Sequence, residues 1–196
     1  MRQNITLDKY KEIFKEYKIP NEVIELFIFQ FGKNNDSFIY PFYMDFVLDD
    51  EFTWFCEDSD KEKELLNSII AFASSDGSGG YFAFWLQNGN SDLSNTPIIH
   101  ISSEGGSHLV CKNIHDLLII MTADLDHTIV DPDRDQSDYS DNYRNWVKEA
   151  FNIDTVDTNN TDNYESPHEI EKIIENVNNM YEDKFITWKA KFFHDY

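Results

Sequence analysis

Apolar residues recur at helical spacing in the first part of the chain. They predict a first helix, capped by Thr6 and ended by Pro20, whose apolar positions are Leu7, Tyr10, Ile13, Phe14 and Tyr17. A second helix is expected from Asn21, which is placed to cap it, to Gly32. Its side chains are almost all apolar, so we expect the whole segment to be buried.

A third helix is predicted to begin at Ser59 or Asp60. Its apolar stripe follows the 3.6-residue period and comprises Leu65, Leu66, Ile69, Ile70 and Phe72. The aromatic and β-branched residues that precede it, at positions 37–55, predict one or two short strands that end in an acidic corner.

Three short apolar runs in the middle of the chain predict strands at residues 81–86, 97–101 and 107–111. Short polar or glycine-bearing turns separate them, without room for crossover helices, so we expect an antiparallel meander. The first strand is apolar at nearly every position and is expected to be central and covered on both faces. Asn113 is placed to cap a helix over residues 114–121. The expected class is therefore α+β, a mainly antiparallel sheet with flanking helices.

The composition changes beyond Thr122 to an aspartate-rich loop, an amphipathic helix from Ser140 and a polar linker over residues 154–165. The last helix is predicted to open on a capping box with proline at its first position, formed by Ser166, Pro167 and Glu169. Its apolar face is expected to carry Ile170, Ile173, Ile174, Val177 and Met180, and the aromatic run to Tyr196 is expected to dock on the body. We therefore predict an α+β domain at residues 1–151 and an acidic linker with a C-terminal helical extension at 152–196.

The net charge of −21 is the strongest signal in the composition for the class of partner. An acidic surface repels nucleic-acid phosphate and anionic membrane, and it raises the encounter rate with basic partners. An aromatic content of 15% is too high for a disordered chain, so most of the chain is expected to fold. We expect no nucleic-acid and no membrane partner. The alternative explanation of the net charge is that it only keeps an ordinary protein solvated.

The two cysteines, Cys56 and Cys111, stand apart from any CxxC pair, which favours a reducing, cytoplasmic compartment. The N-terminus lacks the apolar core of a signal peptide, and no stretch reaches the apolar length that spans a bilayer. These features agree on a cytoplasmic location.

Two loops resemble ligand-binding motifs but depart from them at decisive positions. Asp131, Asp133 and Asp135 alternate as in a calcium loop, yet Gln136 replaces the turn glycine and Asn142 the bidentate glutamate. The glycines of residues 77–80 precede a strand rather than a helix and lack a following lysine, so they do not form a phosphate loop. We expect a solvated acidic loop and a helix-to-strand turn, with no metal and no cofactor.

The six histidines show no helical zinc spacing. His100 lies in an isoleucine-rich strand, where a hydrogen-bonded core or edge residue is expected. A nucleophile and base formed by Cys111 with His100 or His115 is the enzymatic alternative, but a small core residue is the simpler interpretation of Cys111. The remaining histidines, His108, His127, His168 and His194, indicate no site. We expect no catalytic residues.

Three pieces of the central region resemble the SUKH superfamily, which includes yeast cell-wall glucan-synthesis regulators of the Smi/Knr type and many bacterial immunity proteins. They are FASSDGSGGYFAFW at residues 72–85, TPIIHISSEG at 96–105 and VCKNIHDLL at 110–118. The likeness covers roughly residues 5–122 and leaves the last helix outside. Its structural turn residues would be Asp76, Gly77, Gly79, Gly80, Glu104 and Gly105.

The resemblance implies an α+β binding module whose bacterial members neutralise a cognate toxin. An acidic surface would complement the basic groove of a nuclease-type toxin, so we expect a basic toxin domain as the partner. The expected contacts are Asp49, Asp50, Glu51, Asp131, Asp133, Asp135 and Asp138. The alternative that the family leaves open is a regulatory scaffold of the glucan-synthesis-regulator type.

Overall fold

The computed structural model of the protein describes residues 5–31, 59–75, 80–87, 91–102, 106–123, 137–154 and 168–193. The helices are α1 (Leu7–Lys11), α2 (Asn21–Phe31), α3 (Ser59–Ser68), α4 (Ile114–Ile120), α5 (Ser137–Phe151) and α6 (His168–Phe192). The strands are β1 (Ile69–Ser74), β2 (Tyr81–Trp85), β3 (Ile98–Ile101) and β4 (Ser107–Cys111). Single 3₁₀ turns occupy Glu12–Phe14, Leu93–Asn95 and Met121–Ala123. The strands predicted at residues 37–55 lie outside the described residues.

The four strands form one antiparallel sheet in the order β1-β2-β3-β4, with helices packed around it. The α+β class and the antiparallel meander are confirmed. Every residue of β2 and β3 is buried, as expected for inner strands covered on both faces. The sheet has four described strands rather than the three that the meander predicted.

The extra strand is β1, which occupies the last turn of the predicted third helix. Helix α3 ends at Ser68, and Ile69 begins the strand without a connecting loop. The helical prediction was wrong here because Ile69, Ile70 and Phe72 satisfy a helical stripe and a buried strand equally well. Pairing of Ile69 with Trp85 and of Ile70 with Phe84 decides the conformation, since tertiary context overrides local propensity.

A β-bulge at Phe72 links the sheet edge to α1. Ala71 pairs with Ala83 and Ala73 with Phe82, so Phe72 is the extra residue. The Tyr10 hydroxyl donates a 2.8 Å hydrogen bond to the Phe72 carbonyl, and both side chains are fully buried. The hydroxyl thus gives the bulged carbonyl a hydrogen-bond partner in an apolar environment.

The sheet separates two apolar clusters. The first contains Phe72, Phe82, Phe84, Ile98 and Val110 from the strands, and α1, α2, α4, α5 and the first turns of α6 cover it. The second contains Tyr81, Ala83, Trp85, Ile99 and Leu109, and α3 and α6 cover it. Because both faces are covered, each inner strand contributes buried apolar area on two sides.

The C-terminal half of α6 packs as an aromatic cluster against Trp85. Trp188 lies at the centre, with ring centroids 5.7 Å from Trp85, 5.5 Å from Phe185 and 5.5 Å from Phe192. The Trp188 indole donates a 2.9 Å hydrogen bond to the Ser68 hydroxyl, where α3 passes into β1. The aromatic run therefore docks on the sheet as predicted, as far as the structure describes it.

One prediction about α6, the burial of Met180, is wrong, and two others are not tested by the described residues. Met180 was expected on the apolar face, but it is 56% exposed, because Tyr181 and Val177 rather than Met180 face the sheet cluster. The capping residues at positions 166 and 167 lie outside the described residues. The division at residues 151 and 152 stays a prediction, although α6 closes one face of the sheet.

The first helix is capped as predicted but shorter. The Lys9 amide donates to Thr6 Oγ1 at 3.2 Å, and the chain leaves helical geometry at Lys15, with φ 51° and ψ −123°. The Tyr17 amide donates to the Phe14 carbonyl at 2.9 Å. These angles match the first central position of a type II′ turn, which glycine normally occupies, so Lys15 holds a strained backbone conformation.

Helix α4 is also capped as predicted, and it anchors α5. Asn113 Oδ1 accepts a 2.9 Å hydrogen bond from the Asp116 amide. The buried Tyr143 hydroxyl donates to the Leu118 carbonyl at 3.0 Å, and Arg144 Nε donates to the Thr122 carbonyl at 2.8 Å. Both bonds satisfy carbonyls at or near the C-terminal end of a helix, where the backbone lacks its own donors.

Candidate functional surface

His100 is a core residue held by a hydroxyl. Its Nε2 lies 2.8 Å from Ser75 Oγ, and both residues are buried. The ring also packs on Phe82 with centroids 5.3 Å apart. The prediction of a hydrogen-bonded core or edge residue at His100 is confirmed, and of the two positions His100 takes the core one.

His108 stands opposite His100 in the β3–β4 pair, with ring centroids 4.9 Å apart. The residue keeps an exposed surface, yet neighbouring groups displace part of the water around its ring. This desolvation, followed by the positive charge of Lys189 in α6, lowers the pKa of His108. Because part of the surface remains in water, solvent screens the interaction with Lys189.

Cys111 is fully buried, and its thiol donates a 3.2 Å hydrogen bond to the Asn113 carbonyl. Burial, with the nearby carboxylate of Asp116, raises the pKa of Cys111 well above its usual range. A protonated thiol bonded to a carbonyl is a poor nucleophile. His115, one of the two bases considered for it, is exposed on α4. Cys111 is therefore a core residue, as its apolar surroundings predicted.

The turn between β1 and β2 joins two strands, so the helix-to-strand turn predicted there is wrong. The Ser75 amide donates to the Gly80 carbonyl at 2.8 Å and closes the hairpin. The reason is the early end of α3, which leaves Ile69–Ser74 free to pair with β2. The other predicted turn residues, Asp76, Gly77, Gly79, Glu104 and Gly105, lie outside the described residues.

The predicted partner contacts fall almost wholly outside the described part of the chain. Asp138 lies in the first turn of α5, and the structure describes its backbone only. The remaining contacts, Asp49, Asp50, Glu51, Asp131, Asp133 and Asp135, lie in undescribed segments. Among the described residues, no group of three or more His, Cys, Asp or Glu side chains converges as a metal site would require.

The charge is unevenly distributed between the described body and the rest of the sequence. The described residues contain 13 basic and 19 acidic side chains, a net charge of −6. The remaining segments therefore contribute −15 of the −21. The sheet and its helices are close to neutral, and the acidity that was expected to recruit a partner belongs to the segments between them.

Helix α2 carries a feature that the sequence did not reveal. Its whole surface was expected to be buried, but Ile28 is 45% and Phe31 41% exposed. The helix contacts the core through Val23, Leu26, Phe27 and Gln30. Ile24, Ile28, Phe29 and Phe31 are apolar as well, so the sequence pattern does not show where the inner face of the helix ends.

Ion pairing ties the segment before α2 to the β2–β3 connection. The Lys18 ammonium donates to the Asp92 carboxylate, and the backbone of Lys18 bonds to Ser91 and Leu93. The hydrogen bond from Lys18, with that from Ser94, holds the pKa of Asp92 well below its usual range. Both the side chain and the backbone of Lys18 are therefore bonded to other residues of the chain.

In the described residues, no helix combines the length and the apolar character needed to cross a membrane. Comparison with protein-family models, curated proteins and solved structures finds no match. Function therefore has to be inferred from the charge, the core contacts and the resemblance of the central residues.

Proposed function

We propose that this chain is a non-enzymatic binding protein of the SUKH type that neutralises a basic, nuclease-type toxin. The observation that carries the proposal is the charge distribution. A near-neutral body is accompanied by segments that contribute −15 of the net charge of −21. Acidic segments joined to a less charged body suit a partner whose active groove is basic because it holds phosphate.

The core contacts of His100 and Cys111 agree with a binding role. His100 bonds to Ser75, and the Cys111 thiol bonds to a backbone carbonyl. Both residues that suggested catalysis thus have structural partners. In the proposed mechanism, carboxylates at residues 49–51 and 131–138 occupy the groove of the toxin and exclude its nucleic-acid substrate. The protein acts in the cytoplasm, where such a toxin meets its target.

The test begins with the gene beside the one encoding this chain. A purified toxin domain from that gene, with its activity measured on nucleic acid, should be inhibited by this chain in competition with substrate. Raising the salt from about 0.1 M to about 1 M, which shortens the Debye length from about 10 Å to about 3 Å, should slow association at least about tenfold. A salt-insensitive association rate would contradict the steering mechanism.

A charge-matched pair of variants separates specific contacts from net charge. Asp49→Asn with Asp50→Asn and Glu51→Gln should slow association more than Glu169→Gln with Glu171→Gln and Glu175→Gln on α6. Both sets remove three negative charges from the same chain. Equal effects would mean that net charge alone acts. Binding without inhibition would instead support the regulatory-scaffold alternative.

A further inference from the structure

The aspartate-rich segment at residues 124–136 joins two described elements that are bonded to each other. Its 13 residues include five aspartates and one arginine, and three of these aspartates are expected partner contacts, Asp131, Asp133 and Asp135. The 3₁₀ turn Met121–Ala123 at the end of α4 precedes the segment, and α5 follows it. The position of α5 relative to the end of α4 therefore sets the distance that this acidic segment has to span.

Two consecutive side chains of α5 fix that position. The hydroxyl of Tyr143, which is 1% exposed, donates to the Leu118 carbonyl within α4 at 3.0 Å. Arg144 Nε donates to the Thr122 carbonyl at 2.8 Å. The Tyr143 bond lies in the core, whereas Arg144 is half-buried and its acceptor is only two residues before Asp124. Arg144 thus fastens α5 directly to the chain from which the acidic segment departs.

This bond suits a role in preparing the segment for binding. Its donor is a charged guanidinium, and hydrogen bonds with an ionised partner are stronger than those between neutral groups. It joins residues 122 and 144, so the ends of the segment are brought together when the protein folds rather than when a partner arrives. Preorganised binding groups give higher affinity because less ordering remains to be done in the complex.

We propose that Arg144 is a positioning residue for the acidic segment at residues 124–136, holding its ends so that its carboxylates are presented to the basic toxin. The inference rests on the proposed function and adds to it the residue that organises one of the two contact segments. Arg144 acts through the segment and makes no contact with the toxin itself.

Charge alone predicts the opposite effect of removing this arginine. Arg144→Gln takes one positive charge from an acidic chain, so electrostatic steering by itself would speed association with a basic partner. Loss of positioning instead weakens the complex. The weakening should appear in the dissociation rate, where most differences in affinity between variants of one interface are found.

Arg144→Gln and Lys148→Gln form a matched pair, because both remove one positive charge from α5 and Lys148 is exposed. The probe is the purified toxin domain encoded beside this chain's gene, inactivated by substitution and immobilised for kinetic binding measurements at a temperature where every variant is folded. Arg144→Gln should raise the dissociation rate at least about fivefold, and Lys148→Gln less than about twofold. A bond that served stability alone would lower the melting temperature without changing the dissociation of folded molecules.

A second background tests whether Arg144 acts through the segment. In a chain carrying Asp131→Asn, Asp133→Asn and Asp135→Asn, Arg144→Gln should change the dissociation rate by less than about twofold, because the carboxylates that it positions have been removed. The same fold-change in both backgrounds would mean that Arg144 acts elsewhere, and it would refute the inference.

Equal dissociation rates for Arg144→Gln and Lys148→Gln, with the unaltered chain inhibiting the toxin, would overturn the positioning role and leave the proposed function intact. Failure of the unaltered chain to bind the toxin, or a neighbouring gene that encodes no toxin, would overturn the proposed function and the positioning role with it.

Discussion

Replacing Tyr10 by phenylalanine tests how the sheet edge is held. The substitution removes one oxygen and leaves the aromatic packing on Phe27, whose ring centroid lies 4.6 Å away. The Phe72 carbonyl, buried at the bulge, then loses the 2.8 Å hydrogen bond from Tyr10. Removing one partner of a buried hydrogen bond costs about 1–3 kcal/mol of the free energy of unfolding.

The magnitude is measurable by denaturant and thermal unfolding. For a chain of this size, 1 kcal/mol corresponds to a shift of about 2–4 °C in the melting temperature, so Tyr10→Phe should lower it by about 2–12 °C. Tyr181→Phe is the matched control, because Tyr181 packs edge-on against Trp85 without a recorded hydrogen bond from its hydroxyl to the described residues. The control should stay within about 0.5 kcal/mol of the parent.

The same residue makes a prediction about alkaline pH. Burial raises the pKa of Tyr10 well above 10, so the folded protein keeps the phenol protonated where the unfolded chain ionises. The stabilisation is fully present below about pH 10 and is lost as the pH rises towards the folded-state pKa. Tyr10→Phe should therefore reduce alkaline sensitivity. Equal stability of Tyr10→Phe and Tyr181→Phe at neutral pH would refute the role assigned to the hydroxyl.

Three further sets of variants probe the turn, the α6 contact and the histidine pair. Lys15→Gly should raise the free energy of unfolding by about 1 kcal/mol by relieving strain in the type II′ turn, whereas Lys15→Ala should give no gain, as thermal unfolding of both would show. Trp188→Phe and Ser68→Ala should each destabilise, and their double-mutant cycle should give a coupling energy of about 0.5–1.5 kcal/mol for the hydrogen bond; additive effects would contradict it. The free energy of unfolding should fall as the pH drops below about 6.5, because the pKa of His108 is lowered in the folded state. His108→Gln should make this fall less steep in urea unfolding measured at several pH values. An unchanged pH dependence of stability would contradict the role of His108.

The sequence was most informative where local chemistry determines the structure. Thr6 and Asn113 cap their helices as their side chains predict, because a cap needs only a few neighbouring amides. β2 was identifiable as an inner strand because a continuous apolar run requires cover on both faces. The α+β class follows from these elements and the short turns between them.

The sequence was least informative where contacts between distant residues determine the local conformation. Ile69 and Ile70 become a strand because Trp85 and Phe84 pair with them, and that pairing is absent from any local pattern. Likewise, the apolar sequence of α2 concealed that Ile28 faces outward. The acidic residues expected to contact a partner were chosen by composition alone, and composition cannot specify how carboxylates are arranged in space.

Closure of the second sheet face by α6 has a consequence for synthesis on the ribosome. Trp85 is made early, whereas Phe185, Trp188 and Phe192 emerge about a hundred residues later. Until then this face of the nascent sheet lacks its α6 cover and presents apolar surface to chaperones or to other nascent chains. Release of α6 from the ribosome is therefore the step that protects the newly made protein from aggregation.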